Sequence, residues 1–189
     1  MFDKIRGRFR QAGKAQDVVP PGTTPSLNDA YRLIRDEDRQ RYTELALEAF
    51  PHLATRIQCF GADWLGRQFA TDEGRLVDGQ PQVLLLEPGS GEIYEIPDSF
   101  DSFHEREILE HPNETVELGL LSDWIETGGA LPSYRECIGY KEPLFLGGSH
   151  DFTNFELSDI EVYWTICSQI LARIRDLPEG TRINRITIE

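Results

Sequence analysis

The clearest hydrophobic pattern in the chain lies between residues 160 and 174, where apolar side chains recur at spacings of three and four positions. These spacings place the side chains on one face of an α-helix. The residues on this face are Ile160, Tyr163, Trp164, Cys167, Ile170, Leu171 and Ile174. Ser158 and Glu161 have the spacing of a capping box before the helix, and Pro178 with Gly180 would end it. The pattern therefore predicts a long amphipathic helix near the C-terminus, and it permits a last strand over residues 182–188.

Shorter apolar runs predict strands. The segment 140–146 ends in three consecutive apolar residues, and the glycine pair 147–148 would form the turn after it because glycine tolerates positive φ. The best hairpin signal covers residues 83–96, where an apolar strand, a Pro-Gly-Ser-Gly turn and a second strand follow one another. Two further strands are predicted over 55–60 and 64–70.

Helical periods predict the remaining elements. Ser26 and Asp29 have capping-box spacing ahead of helices over 27–35 and 38–50. Apolar faces predict another helix over 100–110, and a further one that restarts at a proline and closes at the glycine pair 128–129. Short turns join neighbouring strands, so we expect an antiparallel sheet with helices packed on it, which is the α+β class.

The first 25 residues differ from the rest of the chain. Residues 1–14 contain five Lys or Arg side chains and one Asp, and residues 16–25 contain three prolines and a glycine. This composition predicts a basic N-terminal arm with a Pro-rich linker over 1–25, and a single domain over 26–189. The arm could touch a membrane surface or a partner, or it could pack on the acidic body of its own chain.

The charge balance narrows the choice of partner. The chain of 189 residues has a net charge of −14 and an isoelectric point near 4.7. Binding of nucleic acid phosphates requires clustered Lys and Arg, so direct nucleic acid binding by the main body is disfavoured. An acidic body suits a basic protein partner, although acidity can also serve solubility alone.

Other features of the sequence point to the cytoplasm. The chain has no apolar run long enough for a membrane span and no secretory signal. Its three cysteines fit free thiols in a reducing compartment.

No constellation in the sequence predicts catalysis, a metal or a cofactor. Ser149, His150 and Asp151 are adjacent, but the partners of a catalytic triad converge from separate parts of a fold, so a turn is expected there. His104 and His111 could share a helix face, yet the sequence lacks metal-ligand spacing and a solvated face is predicted. We therefore expect a protein that is not an enzyme.

Motifs in the C-terminal half resemble those of a known family. They are the PLFLGG run at 143–148, Asn154 and Glu156, the EVYW run at 161–164, Cys167 with Gln169, and the DLP-x-GT run at 176–181. This order of motifs is similar to the C-terminal domain of the type VI secretion DNase-immunity family. The resemblance implies a non-catalytic, antitoxin-like protein of interbacterial competition that binds a cognate toxin, such as a basic secreted nuclease.

The loop before the long helix is the predicted partner-binding site. Its polar residues are Asp151, Asn154, Glu156 and Asp159, which follow a glycine turn, and loops on rigid scaffolds often carry recognition. An alternative is an adaptor or regulatory module that binds a host protein or a small ligand.

Overall fold

The structure is a computed structural model, and it describes residues 24–177. The basic arm over 1–14 and the last strand permitted over 182–188 lie outside the described residues. No helix within 24–177 is long and apolar enough to cross a membrane.

The larger sheet has five antiparallel strands in the order β1-β2-β3-β4-β5. The strands are β1 (Tyr31–Leu33), β2 (Ile57–Asp63), β3 (Gln68–Val77), β4 (Gln80–Glu87) and β5 (Glu92–Ser99). The predicted hairpin is confirmed as β4–β5, in which Leu85 is opposite Tyr94. Short turns join β2, β3, β4 and β5, whereas residues 34–56, which include a helix, connect β1 to β2.

Helices and short helical turns cover the sheet. The α-helices before the final one are α1 (Leu27–Ala30), α2 (Arg39–Ala49), α3 (Phe100–Ser102), α4 (Ile108–Glu110), α5 (Pro112–Val116) and α6 (Leu118–Glu126). The turn Phe103–Glu107 between α3 and α4 is a π-helix, and the turns Asp36–Asp38, Pro51–Leu53 and Leu144–Leu146 are 3₁₀ helices.

A second, two-stranded sheet carries the long helix. It pairs β6 (Glu136–Tyr140) with β7 (Phe155–Asp159), and α7 (Ile160–Ile174) follows β7 directly. The predicted apolar face of α7 is confirmed for its central members, because Tyr163 and Trp164 are almost fully buried. The indole N–H of Trp164 donates to the carbonyl of Gly66 at 2.7 Å, so the helix is fixed to the turn between β2 and β3. The α+β prediction is confirmed.

The predicted cap of α7 was displaced by one residue. Ser158 belongs to β7, where it is opposite Cys137, and Asp159 is the N-cap. The carboxylate of Asp159 accepts a hydrogen bond from the N–H of Val162 at 3.0 Å, which satisfies one free donor of the first turn. The strand pairing of Ser158 therefore overrode its local preference for a cap.

Two predicted elements were wrong because tertiary contacts overrode the local pattern. The apolar run Leu144–Leu146 is a 3₁₀ turn and not a strand, since the strand β6 already ends at Tyr140. The helix predicted over 27–35 stops at Ala30, because residues 31–33 pair with β2 as a strand.

The predicted boundaries of three other elements also changed. The turn between β2 and β3 comes after Asp63, and β3 continues to Val77. The helix predicted from Pro112 divides into α5 and α6 at Glu117, whose φ of 52° is left-handed.

Candidate binding cleft

An open cleft with a volume of about 510 Å³ lies between the larger sheet, the helical region that follows it and the segment after β6. Strands β4 and β5 contribute Leu85, Glu87 and Tyr94 through Pro97. Residues 107–117 of the helical region form a second side, and residues of the loop 144–150 form a third. The side chains that line it are Arg67, Leu85, Glu87, Tyr94, Glu95, Ile96, Pro97, Glu107, Glu114, Thr115, Glu117, Tyr140, Leu144 and His150.

The base of the cleft contains a buried ion pair. The side chain of Arg67 is only 7% exposed, and its Nε donates to Oδ2 of Asp63 at 2.6 Å. The carboxylate of Asp63 is fully buried and also accepts from the backbone N–H of Arg67 at 2.9 Å. Burial by itself would lower the pKa of Arg67, but the charges of Asp63 and Glu117 raise it, so the guanidinium stays protonated.

Glu117 connects this ion pair to the loop that follows β6. One carboxylate oxygen of Glu117 accepts from Nη1 of Arg67 at 2.6 Å, and the other contacts Nε2 of His150 at 2.8 Å. The left-handed backbone of Glu117 is uncommon for a residue with a side chain and is costly. The contacts with Arg67 and His150 offset that cost.

A chain of hydrogen bonds continues from His150 to the sheet. The hydroxyl of Tyr140 lies 2.6 Å from Nδ1 of His150 and 3.2 Å from Oε1 of Glu87. The hydroxyl of Tyr140 donates to Glu87, so these contacts join Glu117, His150, Tyr140 and Glu87 in one hydrogen-bonded chain.

Burial raises the pKa of two groups in this chain, Glu87 and Tyr140. Desolvation raises the pKa of Glu87, although the positive charge of Arg67 acts in the opposite direction. Desolvation and the nearby charge of Glu87 also raise the pKa of Tyr140, so its hydroxyl stays protonated. The cleft thus has a buried carboxyl group beside a tyrosine and a histidine, an arrangement that can bind a cation or hold a proton.

The four residues predicted to bind a partner lie together in the segment 151–159, but they differ in exposure. Asp151 is exposed and accepts hydrogen bonds from the backbone and side chain of Thr153, which lower its pKa. Asn154 is buried, and its side-chain N–H groups donate to the carbonyls of Glu142 and Ser149. Asn154 therefore holds the loop in its conformation.

The other two members of the predicted site belong to regular structure. Glu156 is half-buried in β7, opposite Gly139 of β6. Asp159 is half-buried and caps α7. Of the four predicted residues, Asp151 offers the most accessible carboxylate to a partner.

The sequence motif Ser149-His150-Asp151 does not assemble a triad. The partners of the His150 ring are Tyr140 and Glu117, which come from other parts of the fold. The prediction of a solvated face was wrong for His104, whose ring is half-buried among aromatic side chains and contacts the hydroxyl of Tyr31 at 2.8 Å. Within residues 24–177, no group of three or more His, Cys, Asp and Glu side chains could hold a metal ion, and all three cysteines are buried and free.

The residues that line the cleft were not among those predicted from the sequence. Arg67 and Glu87 are single charged residues in apolar strand-like segments, which was the available signal that they are buried. Asp63 is only four positions from Arg67, but Glu117 and Tyr140 lie 50 and 53 positions beyond Arg67 and Glu87, so the local pattern could not identify these partners.

These features describe an acidic α+β protein with an open cleft. Residues 98–171, less than half of the chain, match the family described as "T6SS immunity protein Tdi1, C-terminal". The resemblance expected from the C-terminal motifs is thereby confirmed, and the match supports a role as an immunity protein of type VI secretion. An immunity role in turn favours binding of a cognate toxin over catalysis.

Two further comparisons do not identify a function. The crystal structure of Atu4351 from Agrobacterium tumefaciens has 13% sequence identity and a TM-score of 0.45, with 88% of this chain and 75% of that chain covered. This level of similarity does not identify a shared function. No curated protein matches the chain.

Proposed function

We propose that this chain is a non-catalytic immunity protein that acts in the cytoplasm and neutralises a basic toxin, such as a secreted nuclease, by binding it. The observation that carries the proposal is the match of residues 98–171 to the immunity family. The net charge of −14 supports a basic partner, since opposite charges speed encounter and oppose wrong pairings. The toxin-binding unit is the domain that follows the basic arm and linker.

Neutralisation would work by occlusion. A nuclease binds its phosphate substrate through a cationic surface, and that surface would face the carboxylates of this chain in the complex. Asp151 and Glu156 are the acidic residues of the predicted loop that can contribute their carboxylates, and Asp151 also accepts hydrogen bonds from Thr153. Asp159 also caps α7, and Asn154 also holds the loop.

The direct test is a toxicity rescue. The product of the gene adjacent to the one for this chain is expressed in a bacterial host, with and without this protein, and the complex is purified over a salt series. We expect rescue and a complex whose rate of association falls as salt rises. If the protein neither rescues the host nor forms a complex, the immunity role is refuted and an adaptor is favoured.

Charge reversal then maps the surface. Asp151→Lys should slow association with the toxin, while Glu126→Lys, an exposed change at the end of α6, is the matched control. Equal association rates for the two variants would remove the loop from the proposed interface.

Stoichiometry separates binding from catalysis. The buried carboxyl group of Glu87, with its raised pKa and its position beside Tyr140 and His150, is the feature of this chain that would suit an acid–base enzyme. An occluding protein must be present at about one equivalent of toxin, whereas an enzyme would protect at far lower amounts. Protection by substoichiometric protein would refute the binding mechanism.

A further inference from the structure

The charged side chains that line the cleft favour a cationic ligand. Five glutamates line it: Glu87, Glu95, Glu107, Glu114 and Glu117. The guanidinium of Arg67 is already bound to Asp63 and Glu117. An anionic ligand would therefore meet an excess of negative charge, and a cation would be attracted.

One buried carboxylate in the cleft has unused hydrogen-bonding capacity. Glu87 is 6% exposed, and within residues 24–177 its side chain makes one hydrogen bond, from the hydroxyl of Tyr140 to Oε1. The second oxygen, Oε2, has no hydrogen-bond partner among those residues. Oε2 is therefore free to accept a charge-assisted hydrogen bond from a donor that enters the cleft, and such bonds are stronger than neutral ones.

The walls favour a cation that carries an apolar part. Tyr94 is 43% exposed although it is large and aromatic, and Ile96, Pro97 and Leu144 also line the cleft. Arginine and lysine combine an aliphatic stem with a cationic head, and such side chains bury the stem along apolar surface. An aromatic ring beside a guanidinium adds a cation–π attraction.

We propose that the cleft binds one arginine or lysine side chain of the toxin, with its stem against Tyr94 and Ile96 and its cationic head at Glu87 and Glu114. This inference rests on the proposed function, since it names the feature of the toxin that the acidic protein recognises. Glu114 is exposed on the rim and has no ion-pair partner within residues 24–177, so it is available to the incoming cation.

The first test needs no toxin. The full chain, labelled with ¹⁵N, is titrated with N-acetyl-arginine amide and, in parallel, with N-acetyl-citrulline amide, which has nearly the same shape without the charge. We expect saturable shifts of the amide signals of Tyr140 and His150 with the arginine probe, and none with the citrulline probe. The absence of saturable shifts with the arginine probe would overturn the inference.

Variants locate the probe. Glu87→Gln and Glu114→Gln should each weaken binding of the arginine probe by about tenfold or more, since Glu114→Gln removes a charge that faces the probe and Glu87→Gln replaces an acceptor oxygen with an amide N–H₂ group. Glu110→Gln is the matched control because Glu110 is exposed on the same helical region but does not line the cleft. Since Glu114 is exposed, its variant will fold even if Glu87→Gln does not. Unchanged affinity in both cleft variants would overturn the inference.

The basic arm of the chain could supply the same cation in place of the toxin. The triple variant Arg6→Gln, Arg8→Gln and Arg10→Gln should bind the arginine probe with the affinity of the wild type. If its affinity is higher by tenfold or more, the arm is the occupant and the assignment to the toxin is overturned.

Failure of the cleft and failure of the immunity role give different results. A toxin complex that forms with the wild type and is equally tight with Glu114→Gln would refute the cleft while the immunity role stands. The lack of any complex with the wild type would refute the immunity role, and the probe titration alone would then decide whether the cleft binds a cation.

Discussion

The buried ion pair below the cleft leads to a stability prediction with a defined sign. Arg67→Met replaces the guanidinium with an apolar side chain and leaves the fully buried carboxylate of Asp63 without its counter-ion. Adding Asp63→Asn then removes the uncompensated charge, and the amide oxygen can still accept from the backbone N–H of residue 67. We expect the second substitution to restore part of the stability that the first removes.

The magnitudes follow from burial. Removing one partner of a buried ion pair costs about 3–5 kcal/mol, because the remaining charge has no compensation. For a chain of this size the melting temperature would fall by about 6–20 °C. Replacing both partners of a buried ion pair by uncharged groups is often close to neutral, so the double variant should recover roughly 2–3 kcal/mol relative to Arg67→Met alone.

Urea unfolding at pH 7, followed by tryptophan fluorescence, measures these differences, because Trp64 and Trp164 are buried. Arg135→Met is the matched control. Its guanidinium is 58% exposed and lies 3.5 Å from Asp38, so its loss should cost only about 0–1 kcal/mol.

Two results would refute the reasoning. If Arg67→Met were no more destabilising than Arg135→Met, the buried pair would not hold the base of the cleft. If the double variant were less stable than Arg67→Met alone, the unpaired charge of Asp63 would not be the source of the loss.

Three further predictions concern pH dependence and packing. Burial would raise the pKa of Asp72, but hydrogen bonds from Arg75, a backbone N–H and Arg56 lower it below 3.8. The contribution of Asp72 to stability is therefore present above that value and lost as pH falls. Asp72→Asn should remove this acid sensitivity in urea unfolding between pH 2 and 6. Burial raises the pKa of Glu87 above 4.5, so the contribution of Glu87 to stability is present below pH 4.5 and lost as pH rises through the folded-state pKa. The stability of Glu87→Gln relative to the wild type should rise over that range. A constant difference in stability would contradict the assignment. Trp164→Phe removes an indole donor and leaves a buried carbonyl unpaired, which should cost about 1–3 kcal/mol in the same assay, and a loss below about 0.5 kcal/mol would count against that bond.

Local patterns in the sequence determined the elements whose apolar residues repeat regularly. The face of α7, the helix α2 and the hairpin β4–β5 each depend on side-chain periodicity and on turn residues that are close in sequence. The antiparallel arrangement of β2 to β5 followed from the short turns between them, and the acidity of the chain followed from composition alone.

Tertiary structure decided the elements and contacts that depend on distant residues. The segment Tyr31–Leu33 became a strand because β2 was available to pair with it, and Leu144–Leu146 became a turn although its composition favours a strand. The cleft depends on contacts such as those of Arg67 with Glu117 and of Tyr140 with Glu87, whose partners are about fifty positions apart. No local period connects such residues, since only the folded chain brings the sheet, the helical region and the loop after β6 to one place.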